Sequence, residues 1–519
     1  MDQGYGNWAT VQSVRNGGRP ALIDETSGAV TTYRDLDART NRLADALSQK
    51  GVRKGDRVAL LTLNSPQMME VYFAVAKLGA ITVPVNVRLS PREVSFVLGD
   101  SGAIALFSST NLASLAEAAL ADSPAVRLQV TIPTAAERMA GDGGQFESLL
   151  DTGSPERVVR DVAETDTCVI MYTSGTTGVP KGAMLTHRNF FYNACNAFGF
   201  GSGIGRDDVT ISAAPLFHIG ALGVHTLPFL YIGGSVVITE TFTPDGWLAA
   251  AERYRVTQAF NVPAMWAAIA QAVPAKERDL SSLTFAVTGG APCPIPVIRA
   301  LQGHGMGFTE GFGMTETSPI AACLPPEDVL SKAGSIGHPV NHVEFRIVDA
   351  EDRDVPVGTV GELCIQGPSV FVGYWNRPAE TAEALRGGWF HTGDMARVDE
   401  EGFFTLVDRR KDMGITGGEN VYPIEVEKVI YEHPDVAEVA VIGVPDDEWG
   451  ERVTAIVVPR PDAALTPDEL REWTRERIAH FKAPRVVEFI DELPRNATGK
   501  ILKRSLRETW AGTTSQVTR

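Results

Sequence analysis

The sequence predicts an α/β protein. A large N-terminal domain, residues 1–410, packs parallel and mixed sheets with helices and includes a small β unit at about 335–408; a small α+β domain, 411–519, follows. Three observations predict this. Apolar strands alternate with helical patterns near the N-terminus, as βαβ units do. After about residue 335 short strands separated by turn residues replace that rhythm. The charge run Asp408-Arg409-Arg410-Lys411-Asp412 then precedes a tail with strand and helix signals of its own. At 519 residues the chain exceeds one compact core, and 44% apolar with 21% charged residues excludes disorder and coiled coil as the overall class.

In chain order, Thr32-Tyr33-Arg34-Asp35 has capping-box spacing, and Leu36, Leu43 and Leu47 give the next helix an apolar face that ends at Gly51. Arg57 to Leu63 reads as a buried strand, Pro66 to Leu78 as a helix, and Ile81 to Val85 as the next strand. That order implies parallel pairing through a right-handed crossover. Residues from about 110 to 160 are rich in Ala, Ser and Asp with weak periodicity, and variable surface structure is expected there. Val209 to Thr239 holds no charged side chain and is long enough to span a bilayer. Its Pro215, His218, His225, Pro228 and Gly233-Gly234 suit a lipid-facing helix badly, so this run and Thr257 to Ala275 are expected as buried core, not transmembrane segments. Phe285 to Thr288, Glu344 to Val348 and Gly361 to Ile365 read as strands. In the tail, Val436 to Val444, Arg452 to Pro459 and Val486 to Ile490 read as strands, and Thr466-Pro467-Asp468-Glu469 caps a helix carrying Leu470 and Trp473.

The balance of 47 basic and 64 acidic residues, net −17, excludes a general nucleic-acid binder, which needs clustered Lys and Arg. Five cysteines, at 168, 195, 293, 323 and 364, form no C-x-x-C pair and fit reduced thiols in a cytoplasmic protein. Met1 to Thr10 lacks the basic and apolar regions of a signal peptide.

The most informative segment runs from Met171 to Gly182 and follows an apolar strand. Gly175 and Gly178 free the backbone to bend; Thr173, Ser174, Thr176 and Thr177 supply hydroxyl donors; Lys181 adds a point charge. This is the chemistry of a phosphate-binding loop, although Gly- and Thr-rich surface loops share the composition. The spacing is not that of a Walker loop, and Gly303 to Gly307 does not have the spacing of a dinucleotide fingerprint.

Tyr172 to Gly182 resembles the signature of the adenylate-forming (AMP-binding) superfamily, and the chain as a whole most resembles bacterial fatty-acyl-CoA ligases. Five further motifs of that superfamily follow in order: Gly311-Phe-Gly-Met-Thr-Glu-Thr317, Trp389-Phe-His-Thr-Gly-Asp394, Asp408 to Asp412, Gly417-Gly-Glu-Asn-Val-Tyr-Pro423 and Pro494 to Lys500. The resemblance implies the adenylate-forming fold, with a mobile C-terminal domain hinged at about 409–412. It implies an enzyme that joins a carboxylic acid to ATP, giving acyl-AMP and pyrophosphate, and then passes the acyl group to CoA with Mg²⁺ as metal.

By the same resemblance, Thr173, Ser174, Gly175, Thr176, Thr177 and Gly178 bind nucleotide phosphates with Lys181, and Thr315 contacts the α-phosphate. Glu316 and Thr177 hold the metal. Gly290, Ala291, Gly311, Phe312 and Gly313 line the nucleotide site, Asp394 accepts the ribose hydroxyls, and Arg409 contacts ribose and phosphate. Lys411 marks the hinge, Gly417 and Gly418 leave room for the pantetheine arm, and Lys500 bridges the acyl carboxylate and the α-phosphate. Without the family context, Thr315-Glu316 reads as a helix start, Asp394 as a turn former after Thr392-Gly393, and Arg409 to Lys411 as a solvated linker.

The expected acyl pocket includes His218, Gly220, Gly223, Trp266, Gly289 and Met314. His218 is open between a pocket gate and a core histidine, and Trp266 between a depth limit and core. These segments carry no Arg or Lys to pair a second carboxylate and no Asp to meet an α-amine, which argues for an apolar monocarboxylic acid. A medium or long fatty acid is the first expectation and an aryl acid the second. Gly414 stands where related ligases carry an aliphatic residue, which keeps open a different nucleophile, a carrier-protein thiol or an amine. Oligomeric state is open, with a homodimer as one possibility.

Overall fold

Strands Arg57–Leu61 and Ile81–Pro84 pair in parallel, joined by the helix Pro66–Lys77, whose first turn Ser65 caps through the Met68 N–H. They sit in a computed structural model that describes residues 2–173, 180–200, 203–272, 278–409, 414–416, 419–446, 450–461, 463–495 and 501–510. Their sheet has six strands in the order Leu128–Ile132, Ala105–Ser109, Arg57–Leu61, Ile81–Pro84, Thr167–Thr173, Lys181–Thr186; only the last pair is antiparallel. The Thr32 capping box opens the helix Tyr33–Gln49, and Leu36, Leu43 and Leu47 on its apolar face are fully buried.

Residues 110–160, expected as variable surface structure, are mostly exposed or half-buried but form regular elements. They contain the edge strand Leu128–Ile132 and helices Ala113–Leu120, Ala135–Met139 and Gly144–Leu150. Thr134 and Glu137 form a capping box at the second of these, a signal present in the sequence but masked by the weak apolar periodicity around it.

The uncharged run Val209 to Thr239 is buried as expected. Val209–Ser212 and Ser235–Ile238 pair in parallel within a four-stranded sheet, and a π-helical turn at Leu222–Thr226 leads into the helix Leu227–Ile232. Among the described residues no helix is long and apolar enough to cross a membrane. A five-stranded sheet orders Gln258–Phe260, Phe285–Gly289, Gly307–Gly313, Ile320–Leu324 and His338–Pro339.

The chain forms two compact units. One comprises Met1–Phe345 with Ile365–Phe390, the other Arg346–Cys364 with His391–Arg519. The second unit carries most of a four-stranded sheet, ending in the antiparallel pair Phe390–Val398 and Phe404–Arg409. It also carries the tail sheet, where Val436–Asp446 pairs antiparallel to Gly450–Pro459 and Val486–Phe489 pairs parallel to the latter. Helix Pro467–Arg475, capped by Thr466, buries Leu470 in the core of this unit.

Two buried histidines stay neutral. His187 accepts the Tyr5 N–H at Nδ1, and burial pushes its pKa down to about 4. His225 meets Thr210 Oγ1 at 3.1 Å, and burial pushes it to about 3. In the unfolded chain a histidine titrates near 6.5. Below that pH the unfolded state takes up protons that the folded state refuses, so stability falls by up to about 1.4 kcal/mol per pH unit for each histidine until the folded pKa is reached. Melts followed by circular dichroism should show the midpoint dropping from pH 7 to pH 5. His187→Gln, which keeps an acceptor for Tyr5 but cannot titrate, should make that drop shallower; an equal slope would refute the assignment.

Candidate active site

The phosphate-loop segment is carried by a β-hairpin. Strands Thr167–Thr173 and Lys181–Thr186 pair antiparallel and set Thr173 directly opposite Lys181. Ser174, Gly175, Thr176, Thr177 and Gly178 lie outside the described residues. The hairpin is clamped where the loop begins. Tyr172 donates its hydroxyl to Asp100 Oδ2 at 2.7 Å, Arg377 donates to Asp100 Oδ1 at 2.7 Å, and Trp375 Nε1 donates to the Asp100 carbonyl at 3.1 Å. Burial, then the Asp100 charge, pushes the Tyr172 phenol well above its ordinary value, so it remains a proton donor.

Residues 372–375 run along the outer strand of the hairpin. Met184 N–H donates to the Gly373 carbonyl at 2.9 Å, Val372 N–H to the Met184 carbonyl at 3.2 Å, and Trp375 N–H to the Gly182 carbonyl at 2.8 Å. This register brings Tyr374 between two of the expected site residues. Its hydroxyl donates to Glu316 Oε1 at 2.9 Å, and Lys181 Nζ lies over its ring at 5.4 Å from the centroid.

Thr315 and Glu316 occupy a 3₁₀ turn, Thr315–Thr317, after the strand Gly307–Gly313. Thr317 Oγ1 pins the turn by accepting the Met314 N–H at 2.9 Å and donating to the Pro319 carbonyl at 2.7 Å. Phe371 N–H donates to the Glu316 carbonyl at 2.8 Å, and the Glu316 side chain is buried. A Cβ on Gly313 would lie 1.6 Å from the Pro319 carbonyl oxygen, so only glycine lets the two backbones approach. A Cβ on Gly223 would lie 2.4 Å from Pro319 Cδ. Gly223, expected in the acyl pocket, has the side where a Cβ would stand closed by Pro319. Asn193 holds the contact together by donating to the Gly223 carbonyl at 2.7 Å and accepting the Ile320 N–H at 3.1 Å.

Of the other expected pocket residues, Gly220 and Gly289 converge on one ring. A Cβ on Gly220 would lie 3.2 Å from Phe260; one on Gly289 would meet the Gly311 carbonyl oxygen at 2.9 Å before Phe260 at 3.6 Å. Phe260 ends the strand Gln258–Phe260 and is buried with Phe200, Val224, Val287 and Ile320. The sequence reading did not name Phe260. Gly289 pairs with Gly311, while Gly290 and Ala291 are exposed, and Gly290 adopts φ +88° with open space beside it. Phe312 packs edge-on against Phe345, and Met314 is half-buried at the start of the turn. Trp266 is fully buried, donates Nε1–H to the Val287 carbonyl at 2.9 Å and stacks edge-on against Trp247, which satisfies the core alternative for that residue. Half-buried His218 lies against the Phe217 ring; burial, then the Arg88 charge, pushes it down to about 4, so it is neutral at pH 7.

In the second unit, Asp394 is not in a tight turn as the sequence suggested. It lies within the strand Phe390–Val398, buried and directly opposite Arg409, with Gly393 before it at φ +71°. Two bonds fix this segment: Thr392 Oγ1 donates to the Leu363 carbonyl at 2.7 Å, and Gly393 N–H donates to Glu362 Oε1 at 3.1 Å. The structure describes the backbone of Arg409 only. Lys411, Gly417, Gly418 and Lys500 lie outside the described residues. Gly414 is in the strand Gly414–Thr416, opposite Val421.

The sequence and fold match known proteins along nearly their whole length. The model of the AMP-binding enzyme family matches residues 10–375, and that of the AMP-binding enzyme C-terminal domain matches 425–500. The chain belongs to the AMP-binding enzyme family. Within it, the chain is an enzyme of the AMP-forming acyl-CoA ligase class, whose members use ATP, Mg²⁺ and CoA. It is 42% identical to a feruloyl-CoA synthase of an Amycolatopsis species, over 98% of this chain and 99% of that one. It is 38% identical to a long-chain-fatty-acid–CoA ligase of Escherichia coli O6:H1, over 96% and 93%. The solved anthranilate CoA ligase AuaEII in complex with anthranoyl-AMP superposes with a TM-score of 0.87 at 29% identity, over 98% and 97%.

The Gly313 approach is testable. Gly313→Ala should lower the thermal midpoint sharply and abolish pyrophosphate release, because the clash is with backbone. Gly303→Ala, where a Cβ meets nothing within 4 Å, should be tolerated. A Gly313→Ala protein with wild-type melting and rate would remove the constraint.

Proposed function

We propose that this protein is an ATP-dependent CoA ligase for a largely apolar monocarboxylic acid, with an aryl acid of the hydroxycinnamate kind preferred to a long fatty acid. The observation that carries the preference is Phe260, whose ring packs beside Gly220, 3.2 Å from where a Cβ would lie. Glycine at 220 lets that ring approach closely, and an aromatic face there stacks on a flat acid while blocking an extended chain. The similarity to enzymes named for feruloyl and anthranoyl groups supports the same reading. A long fatty acid is the second reading, favoured by the likeness to the Escherichia coli ligase.

The reaction sets an anion against a polyanion, so catalysis consists of positioning and charge neutralisation. A carboxylate oxygen of the acid attacks the α-phosphorus of ATP and pyrophosphate leaves. The CoA sulfur, losing its proton, then attacks the acyl carbonyl and AMP leaves. Glu316, a buried carboxylate with one oxygen bonded by a phenol, is the hard oxygen donor that Mg²⁺ selects, and the residues present fit that ion. Glu316 and Thr177 would hold it, and bound Mg²⁺ neutralises phosphate charge. Thr173 and Lys181 stand at the two ends of the phosphate loop, Thr315 donates to the α-phosphate, and Asp394 accepts ribose hydroxyls. Lys500 bridges the carboxylate and the α-phosphate as charge builds between them.

Pyrophosphate release measured with ferulate and with palmitate, each with and without CoA, tests this. Ferulate should exceed palmitate by about tenfold or more in kcat/KM, and Phe260→Ala should narrow the gap. A palmitate preference would overturn the aryl reading, and pyrophosphate release without a CoA thioester would overturn CoA as acceptor. Lys500→Ala should abolish acyl-AMP formation yet spare thiolation of supplied acyl-AMP; equal loss in both steps would refute its role.

A further inference from the structure

We infer that Tyr374 is a positioning residue for the metal-binding carboxylate: its hydroxyl fixes one oxygen of Glu316 while its ring carries Lys181. One side chain thereby sets the spacing between the group that takes the cation and the amine that meets the phosphates. The inference rests on the proposed metal role of Glu316 and adds a residue that no motif in the sequence singled out.

The geometry is specific to the hydroxyl. The 2.9 Å bond to Glu316 Oε1 needs a donor at the end of a rigid ring. A carboxylate so bonded has a fixed orientation and a fixed pair of lone-pair directions for the metal, as hydrogen-bond partners of metal ligands generally provide. The ring face holds the Lys181 ammonium by cation–π attraction. The ring itself cannot swing away. Tyr374 N–H donates to Thr381 Oγ1 at 2.9 Å, and that hydroxyl donates to the Arg377 carbonyl at 2.7 Å. Phe371 packs edge-on against the ring with centroids 4.8 Å apart. Gly373 supplies the turn that aims it: its φ is +136°, and a Cβ there would lie 2.4 Å from Thr381 Cγ2.

The test is Mn²⁺ binding, read by electron paramagnetic resonance on the full-length protein with α,β-methylene-ATP, alongside the Mg²⁺ dependence of pyrophosphate release. Tyr374→Phe should weaken Mn²⁺ binding about tenfold and raise by the same factor the Mg²⁺ needed for half-maximal rate. Its rate at saturating Mg²⁺ should fall by a smaller factor than its metal affinity. Phe371→Leu loosens the same packing but keeps the hydroxyl, and should leave Mn²⁺ affinity unchanged. Equal weakening in Phe371→Leu and Tyr374→Phe would make the role one of packing and overturn the inference. Wild-type Mn²⁺ affinity in Tyr374→Phe, with affinity lost in Glu316→Gln, would overturn it while leaving the metal role of Glu316 standing. Unchanged affinity in Glu316→Gln would instead overturn that metal role. If Tyr374→Phe does not fold, Tyr374→His serves, and it should lose less than Glu316→Gln; equal loss counts against the inference.

Discussion

The Asp100 carboxylate takes one hydrogen bond at each oxygen, from the Tyr172 hydroxyl and the Arg377 guanidinium. Those three residues belong to the helix Pro91–Ser101, to the strand that launches the phosphate loop, and to the segment after residue 371. The bonds to Asp100 fix Tyr172, at the end of the strand Thr167–Thr173, and so fix where that strand ends. With 12% of the Asp100 side chain and 25% of Arg377 exposed, the pair is mostly desolvated. Removing one partner of such a pair leaves the other charge stranded, which costs up to about 3–5 kcal/mol when burial is complete and less at this exposure. The neighbouring backbone bonds then extend the order outward: once Trp375 N–H is on the Gly182 carbonyl, Tyr374 falls opposite Ala183 and beside Glu316.

The same economy of space governs the Thr315-Glu316 turn. A short 3₁₀ turn cannot bury a carboxylate by itself; it needs backbone on both sides. Gly313 and Gly223 both give way to Pro319, and Thr317 ties the turn to the Pro319 carbonyl. Small residues act here as absences that let main chain meet main chain. A glycine in a sequence therefore has two opposite readings, an open pocket or a closed contact. Gly290 exemplifies the first and Gly223 the second, and composition alone does not separate them.

What was legible in the sequence followed from local rules. The capping boxes at Thr32 and Thr466, and the apolar strands flanked by glycine or proline, form where they were expected because caps and periodicity act within a few residues. The edge strand Leu128–Ile132 was not legible: Leu128, Gln129 and Thr131 are not fully buried, so its apolar pattern is faint and its pairing with Ala105–Ser109 decides its conformation. Asp394 misled for a related reason. Thr392-Gly393 are turn formers in isolation, but here they lie within the strand Phe390–Val398, with Gly393 in the left-handed region. Tyr374 is 58 residues from Glu316 and Arg377 is 277 from Asp100, separations over which no spacing rule carries. The motif residues were legible as a family resemblance, and the residues that orient them only as geometry.

On the proposed reading, selection of the acid follows from what the expected pocket side chains cannot do. His218 is held neutral at pH 7 by burial and by the nearby Arg88 charge. On the proposed reading, a second carboxylate set against Phe260 and glycine backbone would lose its hydration, at a cost of several kcal/mol for an unpaired ion. A monocarboxylate avoids that cost by leaving its only charge at the phosphate end, where the reaction consumes it. What remains to be recognised is apolar shape. A rigid ring meeting Phe260 loses little conformational entropy on binding, whereas a long chain gives up rotamer freedom at every carbon it orders. Affinity for a flat acid can therefore come from a shallow contact, and a deep tunnel is needed only when the ligand must recover the entropy of a flexible tail.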